Sequence, residues 1–246
     1  MVVVAALFAT SGCISFAGLT GGGDGGSDGA SDGSHRLDAG GDRANGEAEA
    51  AGDCNPLALN AASSLEDSFD ASTLSPEWFT PNNESCAVQS GGALVAEAHP
   101  SYCLFFTVSQ YHLTCSSFTV EVPETTLAKT GVQTVIYLDT SVHDAGQTSL
   151  ILENGGFQFT APDKASSMLG AYSATEDHWW RLVESNGSLS FWTSQDGEHF
   201  TMKGSIPDPM PLEDVIIALG AGEYDTIPDA GQAKFRCVNL SPPSCQ

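Results

Sequence analysis

Two Asn-Gly dipeptides, Asn154-Gly155 and Asn186-Gly187, each stand between runs in which large apolar residues alternate with polar or small ones. Asn and Gly both tolerate the positive φ that a two-residue type I′ turn demands, so each dipeptide predicts a tight hairpin. Such a turn also sets register. Around Asn186-Gly187 the paired residue numbers sum to 373, which puts Trp180 opposite Thr193, Arg181 opposite Trp192 and Leu182 opposite Phe191. Asp196-Gly197 predicts a further turn with paired numbers summing to 393, placing Phe191 against Met202 and Thr193 against Phe200. Because side chains alternate across a strand, Trp180, Leu182, Leu189, Phe191, Phe200 and Met202 share one face, the predicted core. Trp179, Arg181, Val183, Trp192, His199 and Lys203 share the other face and look outward.

The same punctuation recurs from Asp67 to Val238. Short runs of β-branched and aromatic residues are broken by Gly, Asn, Asp or Pro every eight to twelve residues. Predicted strands include Asp67–Asp70, Ala93–Ala98, Cys103–Val108, Ser117–Val122, Val132–Asp139, Thr148–Glu153, Ser188–Ser194, His199–Gly204, Val215–Gly220 and Gln232–Val238. Few stretches show a 3.6-residue apolar period of helical length. Many short strands with regular turn signals predict an all-β sandwich or barrel.

Charge then narrows the partners. The 246 residues carry 8 Lys+Arg against 31 Asp+Glu, a net charge of −23. Nucleic-acid binding requires clustered bases to displace counterions, and anionic membranes require the same. Both are excluded as partners, apart from a lipid anchor.

The first thirteen residues, MVVVAALFATSGC, are apolar and end on Ser11-Gly12-Cys13. They resemble a bacterial lipoprotein signal, in which the cysteine becomes the lipidated first residue. That resemblance implies a protein of the cell envelope, lipid-anchored at Cys13 to the outer membrane or the cell surface. Residues 14–53 form a predicted disordered linker. Within it, Gly21–Asp53 holds 11 Gly and eight acids with almost no large apolar side chain. Such a stretch cannot bury enough surface to offset its ordering entropy, and 33 residues reach on the order of 30 Å. Residues 54–246 are the predicted β-sandwich domain.

Beyond Cys13, six cysteines remain as disulfide candidates: Cys54, Cys86, Cys103, Cys115, Cys237 and Cys245. An even set in an exported chain reads as a bridge framework, with 15 connectivities open. Cys54 and Cys245 bracket the domain and are the pair expected to tie its ends. No C-x-x-C or C-x-x-H pair occurs, so no zinc site is predicted.

A family resemblance rests on specific residues. Phe69-Asp70 with Leu74 and Trp78 resembles the opening of concanavalin A-like jelly-roll modules, of the laminin G-like and glucanase-like sort. Phe118-Thr119-Val120-Glu121-Val122 resembles their early core strand. His178-Trp179-Trp180-Arg181-Leu182, with Ser194-Gln195-Asp196-Gly197 and Phe200, resembles the paired hairpins of secreted bacterial members. Ala233-Lys234-Phe235-Arg236-Cys237-Val238 resembles the closing strand, which pairs back near the first. The likeness covers about residues 64–240. It implies two curved antiparallel sheets with one concave face, in a superfamily of lectins, glycosidases and adhesion modules.

The superfamily's glucanases carry two Glu flanking an Asp on one strand, as E-x-D-x-x-E or E-x-D-x-E, so that alternation turns all three to the concave face. This chain has no such spacing: Glu66-Asp67 is adjacent, Glu121 and Glu124 are separated by Pro123, and Glu223 and Asp225 lie in a Gly-rich loop. No nucleophile elbow or metal-ligand spacing occurs either, so catalytic residues and metal ligands are predicted as none. No cofactor is implied. Calcium alone could find oxygen ligands, in loops such as Asp139–Asp144 or Asp225–Asp229. The binding candidates are Trp179, Arg181 and Trp192 on the outward face, with Tyr224 and Asp225 from a neighbouring loop. Sugar rings stack on exposed aromatic rings while charged side chains bond their hydroxyls. Alternatively, the two Trp lie under loops with Arg181 stacked on Trp192.

The expectation is therefore a non-catalytic cell-envelope lipoprotein whose sandwich binds a polysaccharide or an envelope protein. The competing expectations are a glycoside hydrolase or lyase with a dispersed carboxylate site, and a purely structural or interaction module.

Overall fold

The computed structural model describes residues 60–81, 85–100, 102–140, 146–161 and 166–245. Fourteen strands are described: β1 (Trp78–Phe79), β2 (Ala87–Gln89), β3 (Leu94–Glu97), β4 (Cys103–Thr107), β5 (Ser117–Glu124), β6 (Val132–Thr140) and β7 (Gln147–Glu153), followed by β8 (Gly156–Thr160), β9 (Ser167–Ala171), β10 (Trp179–Glu184), β11 (Ser188–Ser194), β12 (Thr201–Pro207), β13 (Val215–Glu223) and β14 (Gln232–Arg236). They form two seven-stranded sheets. The front sheet runs β1-β4-β13-β6-β7-β8-β9 and the back sheet β12-β11-β10-β5-β14-β3-β2. Every strand pairing is antiparallel. The expected all-β sandwich is the architecture observed.

Each sheet turns one face inward, because alternation puts every second apolar side chain on the same side. Ile136, Leu138, Leu150, Leu152, Ile217 and Leu219 line the inner side of the front sheet, and Phe118, Val120, Trp180, Leu182, Phe191 and Phe235 that of the back sheet. Phe157 bridges the two layers, with its ring centroid 5.1 Å from Trp180 and 4.8 Å from Phe191. Both contacts are edge-on, the arrangement that ring quadrupoles favour.

The first hairpin register is the expected one, with Trp180 opposite Thr193, Arg181 opposite Trp192 and Leu182 opposite Phe191. Asn154 and Asn186 take positive φ at their turns. The second register differs. Thr193 pairs with Thr201 and Trp192 with Met202, so the paired numbers sum to 394: the turn holds one residue more than the two-residue form, and the β12 side chains next to it change face. A bulge at Phe191/Trp192 then admits a further residue, pairing Phe191 with Gly204. Met202 is therefore 52% exposed instead of buried, and Phe200 lies half-buried on the outer side.

Three smaller expectations are also corrected. Asp67–Asp70 is not a strand: Asp67 makes a single bridge to Val238, although this still closes the domain near its start. β5 runs through Pro123 to Glu124, beyond the end of its pairing with β10 at Glu121, where a missing N–H costs no ladder bond on that side. Cys245 is bonded to Cys237 and not to Cys54, which lies outside the described residues. Cys86 is bonded to Cys103, tying β2 to β4 across the two sheets, and Cys115 is also in a disulfide.

Removing the Phe157 ring takes away the contact between the layers. Phe157→Ala is expected to cost about 3–5 kcal/mol of unfolding free energy, read from chemical denaturation. Phe79→Ala, at a 42% exposed edge position, is expected to cost far less.

Candidate functional site

The outer side of the front sheet holds a polar row near one end of its strands. Gly222 of β13 pairs with Gln133 of β6, which pairs with Glu153 of β7, which pairs with Gly156 of β8. Alternation explains why these residues face outward: their neighbours Leu152 and Ala221 belong to the core.

Tyr102 lies across this row because Gly222 makes room for its ring, while Gly220 makes room for the neighbouring β4 backbone. A Cβ on Gly222 would fall 2.1 Å from Tyr102 Cδ1, and one on Gly220 would fall 2.1 Å from the Cys103 carbonyl oxygen. Gly220 and Gly222 are paired residues inside β13, and Gly222 is the floor beneath the tyrosine. Tyr102 Oη donates to Gln133 Oε1 at 2.6 Å. Gln133 Nε2 donates to Glu153 Oε2 and to Tyr224 Oη, both at 2.8 Å. Gly131 N–H donates to Glu153 Oε1 at 2.8 Å, and Tyr224 N–H returns to the Gly131 carbonyl at 2.9 Å.

The network has a definite polarity. Gln133 is fully buried with every side-chain hydrogen-bonding group engaged, so its amide cannot flip without breaking three bonds. Both Glu153 oxygens accept N–H donors, which suits a charged carboxylate in a fixed orientation. Burial pushes the Tyr102 phenol far above its ordinary value, with Tyr137 and Tyr224 beside it adding to the shift. Burial likewise lifts Tyr137 to about 12. Both remain protonated donors at neutral pH. Tyr224 is 63% exposed; its phenol oxygen accepts from Gln133 and also lies in hydrogen-bond contact with the Tyr102 phenol.

The outer face of β7 reads Gln147, Ser149, Ile151, Glu153, so only its last position is acidic. Asp139 also faces outward, but it pairs with Gln147, six residues along β6 from Gln133, about 20 Å away at 3.4 Å per residue. That is far outside the carboxylate separation of either hydrolytic geometry. Glu223 belongs to the inner parity of β13 and accepts the Ile227 N–H. Among the described residues, three or more His, Cys, Asp or Glu side chains nowhere gather as a metal centre would require.

The residues singled out from the sequence separate onto the two sheets. Trp179, Arg181 and Trp192 lie on the outer side of the back sheet. Trp179 is only 5% exposed, covered by the turn at Gly197, where a Cβ would fall 2.7 Å from its Cε2. Trp192 is half-buried with Nε1 bonded to Ser190 Oγ. Arg181 stacks on Phe200, 3.5 Å from the ring centroid, and not on Trp192. Tyr224 and Asp225 follow β13 in the front sheet. Of the five, Tyr224 alone joins the polar row. Sequence reasoning missed Tyr102, Gln133 and Glu153, although the outward parity of Glu153, opposite that of Leu150 and Leu152, could have been read from the Asn154-Gly155 hairpin.

No protein-family model matches the chain, and no curated protein matches it by sequence. Solved structures do match. A prokaryotic β-1,3-1,4-glucanase (lichenase) from a mouse hindgut metagenome superposes with a TM-score of 0.54 at 10% identity, over 72% of this chain and 98% of that one. The β-glucanase of Bacillus licheniformis gives 0.51 at 12% identity, over 71% and 95%. A GlcNAcα1-4Gal-releasing endo-β-galactosidase from Clostridium perfringens gives 0.53 at 12% identity, over 71% and 62%. The domain is thus a concanavalin A-like jelly-roll sandwich, as the sequence motifs implied. The expectation of a non-catalytic module, and of no enzyme, is corrected by these same neighbours. They are glycan-cleaving enzymes, and they favour the hydrolase alternative.

The glycine floor makes a testable claim. Gly222→Ala must displace the Tyr102 ring and is expected to cost about 1–3 kcal/mol, as overpacking does. In a Tyr102→Ala background the same substitution is expected to cost little, and a double-mutant cycle by denaturation measures the difference.

Proposed function

We propose that the domain is a glycoside hydrolase acting on a neutral polysaccharide at the outer face of the front sheet, with Glu153 as its catalytic carboxylate. The observation that carries this reading is the Tyr102–Gln133–Glu153–Tyr224 network, on a fold shared with glycan-cleaving enzymes. Glu153 Oε2 and Tyr224 Oη each lie 2.8 Å from Gln133 Nε2, so they are no more than about 5.6 Å apart (twice 2.8 Å). Retaining glycosidases set their two reacting groups about 5–5.5 Å apart, and a tyrosine replaces one carboxylate in some of them. Glu153, as a carboxylate, would act at the anomeric carbon, directly or by taking a proton from the attacking water, while the Tyr224 phenol would give the proton to the leaving oxygen and its exposed ring offers a stacking face.

A lyase is less well supported. β-Elimination requires a substrate carboxylate beside the abstracted proton, and such a group would meet the Glu153 charge in a chain of net −23. The test is release of reducing ends from neutral glycans, among them mixed-linkage β-glucan, β-1,3-glucan and β-galactan. Wild type is expected to cleave at least one, and Glu153→Gln to lower kcat by about 10² or more while folding normally. Failure of wild type across the panel, or full activity in Glu153→Gln, overturns the reading.

The setting we propose for this activity is the cell envelope, reached by lipidation at Cys13. The disulfides Cys86–Cys103 and Cys237–Cys245 support an oxidising compartment. Metabolic labelling with a fatty-acid analogue in a bacterial host is expected to mark the wild type, and Cys13→Ser is expected to lose the label.

A further inference from the structure

On the opposite side of the molecule, the back sheet carries a cavity of about 270 Å³. Arg181 stands in it with Ser63, Ser117, Thr119, Asn239 and Ser241, and among the described residues no acidic side chain lines it. One face of the guanidinium is covered by the Phe200 ring at 3.5 Å, and its Nε donates to Thr119 Oγ1 at 3.0 Å. These two contacts fix the plane of the fork. Its two Nη groups have no partner among the described residues, and no carboxylate pairs with it there. Burial lowers the guanidinium's pKa, the sense expected of a partly desolvated cation.

That isolation is unusual in this chain. The other bases on described strands all hold an acid: Lys203 with Asp177 at 2.9 Å, Lys234 with Glu124 at 2.7 Å, and Arg236 with Glu121 at 2.9 Å. The pocket wall is also braced. Asn239 Nδ2 donates to the Ala62 and Leu65 carbonyls, and its Oδ1 accepts the Thr119 N–H. A planar, half-buried guanidinium held by stacking, with its Nη edge unused, matches the geometry of a carboxylate. The surrounding hydroxyls of Ser63, Ser117 and Ser241 suit the hydroxyls of a sugar.

The geometry points to a binding site for a single hexuronic acid residue, its carboxylate on the Arg181 fork and its hydroxyls on the serines. The net charge of −23 disfavours a densely charged polyanion, so the fitting ligand is an isolated uronate on an otherwise neutral glycan. The site is independent of the front-face reading, since it lies on the other sheet and shares no residue with it.

The full chain is titrated by calorimetry and NMR with glucuronate and galacturonate, and with glucose and inorganic phosphate as controls. At least one uronate is expected to bind with a Kd on the order of millimolar, and glucose about tenfold or more weaker. Arg181→Gln is expected to weaken the uronate about tenfold or more, and Arg181→Lys to recover only part of it because the fork is lost. Glu153→Gln leaves uronate binding unchanged, which separates this site from the proposed hydrolytic one. Should Arg181→Gln fail to fold, wild type decides: the uronate must shift the Arg181 Nε–H and Ser117 signals. Absence of uronate binding, equal affinity in a folded Arg181→Gln, or signals that move only elsewhere overturns the assignment. Phosphate binding as tightly as the uronates makes the pocket a bare oxyanion site and removes its sugar part.

Discussion

Phe157 reaches from the front sheet into the edges of Trp180 and Phe191 on the back sheet, and the sandwich closes around that contact. A sheet with one apolar face is stable only when that face is covered, and here each sheet covers the other. Once the inner parity is set by Phe157, Trp180 and Phe191, strand alternation assigns every remaining side chain in those strands to a face. Gln133 and Glu153 point out of the front sheet for the same reason that Arg181 points out of the back sheet. Neither site had to be positioned separately. Both follow from which residues the core claimed.

Glycine then shapes what alternation supplies. On β13, Gly222 leaves its outer side bare and Tyr102 fills the space with its ring, while Gly220 lets Cys103 and Leu104 approach. From there the order passes along hydrogen bonds, from the Tyr102 phenol to the Gln133 amide and on to the Glu153 carboxylate. The Gly131 turn holds the far end, with its N–H on Glu153 and its carbonyl receiving Tyr224. Each member is orientated by its neighbour, so the geometry of a single carboxylate depends on the absence of a side chain at Gly222, on a different strand. On the back sheet Gly197 acts in the opposite sense, since its missing Cβ lets a turn lie on Trp179 and close off a ring that alternation had turned outward.

What was legible in the sequence follows from how local the information is. The Asn186-Gly187 hairpin was readable to the residue, because a two-residue turn leaves one register available. The next hairpin differs because its turn is one residue longer than Asp196-Gly197 implies, with Ser194 Oγ and Asp196 Oδ1 accepting its backbone N–H groups: Met202 moves to the surface and Phe200 onto Arg181. Cys245 bonding to Cys237 was equally out of reach, since spacing alone does not choose among connectivities. The polar row was missed for another reason. The search looked for acids at alternate positions on one strand, whereas Tyr102, Gln133, Glu153 and Tyr224 come from four segments and meet only across the sheet. Long-range pairing built the site, and no window along the chain contains it.

Charge is sorted between the two sheets in a way that bears on both sites. Every Lys or Arg on a described strand, namely Arg181, Lys203, Lys234 and Arg236, belongs to the back sheet, and the front-sheet strands contain none. The front sheet keeps Asp139, Glu153 and Glu223 without a basic residue on any of its strands. Anionic ligands are therefore repelled from the face that carries Glu153, and a neutral chain approaches it without that penalty. On the back sheet, three of the four bases are already matched to carboxylates, so their fields fall off within the Debye length of about 8 Å at physiological salt. Arg181 is the one whose charge is left for a ligand. With both proposed sites occupied, Arg181 would hold a uronate of a sparsely acidic glycan on one side while a neutral stretch meets Glu153 on the other.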